Sequence, residues 1–280
     1  MNINKKIRKA VLPVAGFGTR FLPATKAIPK EMLPIVDTPL VEFAVNEAID
    51  AGIEEIIFIT SHTKRSIEDH FDQNFELEHK LIQAGKEEVV KKINLDAYKE
   101  IKFSFVRQRE QLGLGHAIAQ AAHLISDNEY FAVLLADDLF EADIGVTSQL
   151  VNSFVELQKS IFAFRKVSDE ETKKYGVIDG DFLSKNKIKI NKIIEKPQSN
   201  PPSNYAVTGR YILSGKIMRI LNALSPGVGN EIQLTDALSK LIKEEEIFGI
   251  KYDAKTFDCG SKEGFISANI HFAKKQKIIS

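Results

Sequence analysis

The sequence predicts an α/β fold whose doubly wound sheet is mixed but mostly parallel, with helices on both faces. Three observations predict it. Short apolar runs alternate with segments of helical period through the first half of the chain. Those runs lack polar alternation, so they read as strands buried on both sides, as in parallel sheets with helical crossovers. The length, 280 residues, suits one large unit of this kind.

The elements follow in order. "KAVLPVAG" (9–16) reads as a strand, and "PLVEFAVNEAIDAG" (39–52) as a helix with Val41, Ala44, Val45, Ala48 and Ile49 on one stripe and Gly52 as its stop. "EEIIFITS" (54–61) is a strand and "KRSIEDHF" (64–71) a helix. Residues 74–102 are highly charged and read as a mostly helical surface excursion. "IKFSFVRQ" (101–108) is a strand, "GHAIAQAAHLI" (115–125) a helix, and "EYFAVLLADD" (129–138) a strand ending in two carboxylates. "VTSQLVNSFVELQ" (146–158) is helical and "SIFAFRKV" (160–167) a strand. In the second half, "YGVID", "IKINKIIEKP" and "YAVTGRYIL" read as strands, with "KPQSNPPSN" (196–204) a proline-rich loop. "GNEIQLTDALSKLIKEEE" (229–246) reads as a capped amphipathic helix carrying Ile232, Leu234, Leu238, Leu241 and Ile242. "IFGIKYD" (247–253) is a strand and "GSKEGFISANIHFAKKQ" (260–276) a closing helix. No repeat or low-complexity linker interrupts the chain, so 1–280 is expected to form one unit.

Composition excludes several classes. Lys+Arg and Asp+Glu number 38 each, so no general basic surface argues for nucleic acid. The single cysteine, Cys259, rules out a disulfide framework within the chain and a cysteine-based zinc cluster. It reads as a small buried residue rather than a nucleophile. The basic N-terminus has a short apolar run broken at Pro13, unlike a signal peptide. No run reaches the roughly 18 apolar residues of a membrane span. A cytoplasmic protein with no membrane or nucleic-acid partner is expected.

The chemistry concentrates in "LPVAGFGTRFLPATKAIPKEMLP" (12–34). Gly16 and Gly18 follow a strand, and a helix start just beyond would add a positive dipole end for a phosphate. The dinucleotide fingerprint needs a third glycine where Phe21 stands, and the P-loop Gly-Lys-Ser/Thr is absent. On spacing alone, a tight turn with solvated basic residues is an equal alternative.

In full, "LPVAGFGTRFLPATKAIPKEMLPIVDTPL" resembles the signature of the nucleotide-sugar pyrophosphorylases. "RQREQLGLGHAIAQA", "LLADDL", "KYGVID", "IIEKP", "AVTGRYIL", "GNEIQLTDAL" and "TFDCGSKEGF" continue the resemblance in order from Val11 to about Phe265. Gly-Leu-Gly-His-Ala (113–117), Phe-Asp-Cys-Gly-Ser-Lys (257–262) and the long excursion resemble the bacterial uridylyl-transferring branch. The thymidylyl-transferring branch usually has Gln where His116 stands. The resemblance implies a Rossmann-like nucleotide-diphospho-sugar transferase fold, with a nucleotide-binding half (about 8–140) and a sugar-binding lobe built from later strands (about 141–280). It implies that UTP and glucose 1-phosphate give UDP-glucose and pyrophosphate, with Mg²⁺ and without a covalent enzyme intermediate. It also implies a homodimer or homotetramer.

Site residues are implied by the same matches. Ala15, Gly16, Gly18, Thr19 and Arg20 would cradle the nucleotide phosphates, with Arg20 on the leaving pyrophosphate. Lys30 would reach the α-phosphate; Lys26 reads as solvated. Gln108 and Gly113 would read the uracil edge, since an amide offers both donor and acceptor. His116 reads as a helix-start residue beside the nucleotide. Asp137 and Asp258 would hold the metal, Asp137 at a strand's carboxyl end where α/β sheets bind ligands. Asp138 would instead hydrogen-bond locally. Gly176, Glu195, Val207, Thr208 and Gly209 would form the sugar side, with Lys196 on the sugar phosphate. Strand alternation opposes Glu195 and Lys196 facing one site unless a local twist or bulge reconciles them. Gln233 is plausible and unassigned. The chain departs from its relatives at Ala136, Thr38 and Glu42, none of which removes a charged catalytic group. Three other readings remain: the same reaction with dTTP or another sugar 1-phosphate, a non-catalytic regulatory homologue, and, as an outsider, a dinucleotide-dependent oxidoreductase.

Overall fold

The computed structural model describes residues 6–93 and 95–280. The chain runs β1 (Lys9–Pro13), β2 (Pro34–Ile35), β3 (Thr38–Pro39), α1 (Leu40–Asp50), β4 (Glu55–Thr60), α2 (Arg65–His70), α3 (Phe75–Gln83), α4 (Glu87–Ile93) and β5 (Lys102–Arg107). It continues with α5 (Leu114–Ala119), β6 (Tyr130–Leu134), β7 (Asp138–Glu141), α6 (Val146–Leu157) and β8 (Ser160–Lys166). It ends with β9 (Gly176–Ser184), β10 (Lys187–Glu195), β11 (Tyr205–Ser214), α7 (Ile217–Asn222), α8 (Leu234–Leu241), β12 (Ile247–Lys251), β13 (Lys255–Asp258) and α9 (Lys262–Lys275).

One nine-stranded sheet organises these elements in the order β5-β4-β1-β6-β11-β8-β12-β10-β9. Alternate residues of each central strand feed two cores. Val11, Ile57 and Val133 point to one face with α5, α7 and α8. Leu12, Phe58 and Leu134 point to the other with α1, α2 and α6. The sheet is therefore covered on both sides, as the apolar runs implied.

The sheet is mixed, as expected, with parallel and antiparallel neighbours. β5, β4, β1 and β6 run parallel, as do β8 and β12. β11 is antiparallel to β6, β8 and β9, and β10 is antiparallel to β12 and β9. The reason lies in the connections. Helical crossovers join the first strands, whereas a two-residue turn joins β9 to β10, which only an antiparallel pair permits. β11 is nevertheless buried almost throughout, because it sits mid-sheet between two helical layers. Burial patterning cannot report strand direction there.

Two boundaries also move. The strand read over 129–138 ends at Leu134; the chain turns, and Asp138 opens β7, which pairs antiparallel with β13. The helix read over 229–246 starts only at Leu234 and has no side-chain cap. Residues 231–233 are extended because Ile232 pairs its backbone with the loop before α5: its N–H donates to Leu112 (2.7 Å) and its carbonyl accepts from Gly115 (2.8 Å). The excursion is helical as read, with α3 and α4 presenting no buried residue. Among the described residues, no helix is long and apolar enough to cross a membrane.

Arg210 of β11 is 1% exposed and ranks first by size among the fully buried side chains. Its Nε and Nη2 donate to the two oxygens of Glu47 on α1, at 3.0 and 2.8 Å. Glu47 also accepts from the backbone and hydroxyl of Thr147 in the first turn of α6. Burial alone would raise the Glu47 carboxyl; the Arg210 charge, with hydrogen bonds from Arg210 and Thr147, outweighs it and holds the group below its ordinary value of 4.5. Replacing Glu47 by Ala leaves the guanidinium uncompensated, and should cost about 3–5 kcal/mol in urea unfolding near neutral pH. Since the folded pKa is depressed, this contribution is complete above 4.5 and is lost as pH falls through the folded value. The gap between wild type and Glu47→Ala should narrow below that pH; a constant gap would contradict the assignment.

Candidate active site

A cleft of about 880 Å³ opens at the carboxyl ends of β1 and β6 and runs between the two halves of the sheet. Its first wall is the loop after β1. Gly18 adopts φ 65°, and a Cβ there would lie 3.1 Å from the Lys30 side chain, so glycine lets the loop pack onto that lysine. The anticipated helix start is absent. The loop passes into three short 3₁₀ turns, Thr19–Phe21, Ala24–Lys26 and Lys30–Met32, each preceded or interrupted by loop geometry at Gly18, Pro23 and Pro29. Prolines prevent a longer helix. Anion binding here falls to backbone N–H groups and side-chain charge rather than to an α-helix dipole.

Opposite charges meet at the floor. Lys30 Nζ lies 2.6 Å from Asp137 Oδ2 and 4.0 Å from Glu31 Oε1. Burial would lower the Lys30 pKa, but Asp137 and Glu31 reverse this and raise it; burial would raise Asp137, but Lys30 holds it down. Arg20 Nη1 donates to the Gly260 carbonyl at 2.9 Å. A Cβ on Gly260 would lie 2.8 Å from Asp137 Oδ2, 3.1 Å from Asp258 Oδ1 and 3.2 Å from Arg20 Nη1. Two carboxylates and a guanidinium therefore converge on one small space that glycine keeps open.

That donor set fits a hard divalent cation. Two carboxylates at one point match an ion that takes its remaining ligands from phosphate oxygens and water. No group of three or more His, Cys, Asp or Glu side chains that could hold a metal occurs among the described residues. Asp138 borders the cleft too, yet its Oδ2 accepts from the Gly209 N–H at 2.7 Å, the local hydrogen bond expected of it. Burial, then the adjacent Asp137 charge, pushes its carboxyl up to about 7. Burial likewise lifts the Cys259 thiol to about 12, leaving it a core residue.

Beside the glycine loop, Gln108 follows β5 and is buried. Its amide donates to the Gly113 carbonyl (3.3 Å) and lies 3.0 Å from His116 Nδ1. His116 is thus behind Gln108, steadying the amide rather than lining the cleft. On the opposite wall, Gly176, Glu195, Lys196, Val207 and Gly209 all line the cleft. Glu195 accepts from Thr235 at 3.1 Å and sits 3.1 Å from Lys196 Nζ. Lys196 adopts φ 42°, just past the end of β10. This left-handed turn overrides strand alternation and brings both side chains to one site.

Every residue to which the sequence assigned a phosphate, base, sugar or metal contact therefore borders the cleft except Thr208. Alternation along β11 sends Val207 and Gly209 into the cleft and the Thr208 side chain to the opposite face, beside Tyr252. The Thr208 side chain therefore does not border the cleft. Sequence reasoning missed Glu31, Glu231, Thr235, Tyr211 and Ser261, which line the cleft, and the two buried pairs Glu47–Arg210 and Glu31–Lys64. Arg210 was detectable as a charge inside the apolar run "YAVTGRYIL"; Lys64 gave no signal.

This site, on this sheet, defines a nucleotidyl transferase: residues 9–275 match that family, and the chain belongs to it. Among curated relatives, the UTP–glucose-1-phosphate uridylyltransferase of Bacillus subtilis (strain 168) is 44% identical over 274 residues, 98% of this chain and 93% of that protein. A crystal structure of UDP-glucose pyrophosphorylase complexed with UDP-glucose superposes with TM-score 0.88 at 45% identity, covering 96% of this chain and 99% of the other. UTP-bound UGPase from Acinetobacter baumannii superposes with TM-score 0.88 at 40% identity, over 96% and 94% of the two chains.

Gly113 supplies a local test. Its φ of 94° and ψ of 178° belong to a region that essentially only glycine occupies, and a Cβ would lie 2.8 Å from Glu231 Cβ. Gly113→Ala should cost about 1–3 kcal/mol in urea unfolding. It should also weaken nucleotide binding measured by calorimetry, because the Gln108 amide loses its fixed acceptor. Unchanged binding would detach Gly113 from the nucleotide side.

Proposed function

We propose that this chain transfers a uridylyl group from UTP to glucose 1-phosphate, giving UDP-glucose and pyrophosphate, with Mg²⁺ as the metal. One observation carries the reading: Arg20, Lys30, Asp137 and Asp258 converge between the glycine loop and the Glu195–Lys196 corner. Two polyanions must meet there, and the protein's task is to align them and balance their charge.

In this reading an oxygen of the sugar phosphate attacks the α-phosphorus in line. A new P–O bond forms as the bond to the bridging oxygen breaks and pyrophosphate leaves. The attacking phosphate is already ionised, so no general base is required, consistent with His116 lying behind Gln108. The backbone of Ala15, Gly16, Gly18 and Thr19 holds the triphosphate, and Arg20 takes the charge that grows on pyrophosphate. Lys30 exchanges its contact with Asp137 for the α-phosphate, as a compact point charge suits a crowded phosphorus. Asp137 and Asp258 would hold Mg²⁺, which neutralises phosphate charge when bound. Gln108 and the Gly113 backbone meet the uracil edge. Glu195 accepts from sugar hydroxyls, Gly176, Val207 and Gly209 keep the sugar pocket shallow, and Lys196 holds the sugar phosphate.

Pyrophosphate release with glucose 1-phosphate and Mg²⁺ should be fastest with UTP among UTP, dTTP, ATP and GTP, and should stop with EDTA. Preference for dTTP would keep the mechanism and change the base. Binding of UDP-glucose without turnover of any nucleotide would point to a regulatory homologue. Lys30→Ala should lower kcat by roughly 10²–10³-fold, the usual effect of removing one transition-state donor. Wild-type turnover in a folded Lys30→Ala protein would remove Lys30 from the α-phosphate.

A further inference from the structure

Beneath the cleft lies an ion pair with no place in the roles above. Lys64 follows β4, and its side chain is 4% exposed; Glu31 follows Lys30, and its side chain is 2% exposed. Lys64 Nζ donates to Glu31 Oε2 at 2.8 Å. The other Glu31 oxygen faces Lys30 Nζ at 4.0 Å, and Lys30 in turn meets Asp137 at 2.6 Å. Four charges of alternating sign thus run from the protein interior to the cleft: Lys64, Glu31, Lys30, Asp137.

Lysine and glutamate are almost never this buried unless paired, and removing one partner leaves the other an uncompensated charge facing the next nearest cation. Without Lys64, that cation is Lys30. Lys30 would then be drawn down and away from the cleft, where a substrate phosphate has to find it. We propose that Lys64 is a positioning residue: by neutralising Glu31 through a buried ion pair, it keeps the Lys30 ammonium available at the cleft floor. Lys64 itself does not line the cleft, so it acts only through Glu31. This inference rests on the role proposed for Lys30.

The test compares turnover in wild type, Lys64→Met, Glu31→Gln/Lys64→Met and Lys64→Arg, with UTP, glucose 1-phosphate and Mg²⁺. Lys64→Met should lower kcat at least tenfold in protein that remains folded by circular dichroism, with less change in KM for glucose 1-phosphate. The double variant removes the stranded carboxylate together with its partner and should recover to within about threefold of wild type, as neutralised buried pairs often do for stability. Lys64→Arg, which keeps the charge, should retain most activity. Should Lys64→Met fail to fold, Lys64→Gln, which keeps a donor but no charge, carries the same expectation and the same rescue by Glu31→Gln. Unchanged kcat in the single variant, or a double variant as impaired as the single, overturns the proposal while an active wild type leaves the reading of the site intact. A wild type silent with every nucleotide overturns both.

Discussion

The buried Glu47–Arg210 pair is the constraint on which the rest of the site depends. Arg210 reaches further than its carboxylate. It donates to the carbonyls of Leu135 (2.8 Å), Gly209 (2.9 Å) and Asp138 (3.0 Å), and its guanidinium lies 4.6 Å from the centre of the Phe140 ring. One side chain therefore holds the turn between β6 and β7 against β11, and α1 and the first turn of α6 against both. Asp137 sits in that turn. Its position is set less by its own contacts than by a planar fork whose donors have fixed directions, which a lysine could not reproduce.

Gly209 completes the arrangement. A Cβ there would lie 2.6 Å from Leu135 Cβ, so only glycine lets β11 approach the turn closely enough for its N–H to take Asp138. Two adjacent carboxylates are thereby separated in role. Asp138 is spent on backbone and is pushed up by burial and its neighbour, whereas Asp137 meets Lys30 and is pushed down. Like charges this close resolve by environment: Lys30 holds Asp137 down, while burial and the Asp137 charge raise Asp138 against the opposing pull of Arg210.

Much of this was legible in the sequence and some was not, for physical reasons. The alternation of apolar runs with helical stripes located the strands and the doubly covered sheet. It could not report strand direction, because β11 is as buried as a central parallel strand. Periodicity extended α8 too far, since Ile232 is buried through backbone pairing with the loop before α5 rather than through a helix face. The site residues were located mainly by their ordered motif matches; spacing alone left the glycine loop open between a phosphate cradle and an ordinary turn. Thr208 does not border the cleft because a motif marks a segment, whereas strand alternation decides which of its side chains face the cleft. Glu47, Arg210, Glu31 and Lys64 are supporting charges whose partners lie 163 and 33 residues apart, and no local pattern pairs them.

The mixed sheet also explains why the cleft can hold two anions. Parallel strands all point their carboxyl ends one way, which gives one binding edge. Here β1 and β6 deliver the glycine loop and Asp137 to that edge. β10 and β11 run against the other strands while β9 runs with β6, so residues reach the cleft from both directions: Gly176 opens β9, while Glu195 closes β10. The Gly176–Glu195 register pairs those two ends directly. The antiparallel β9–β10 pair thus sets a second polar wall, bearing Glu195 and Lys196, opposite the glycine loop and leaves Lys30 and Asp137 between them.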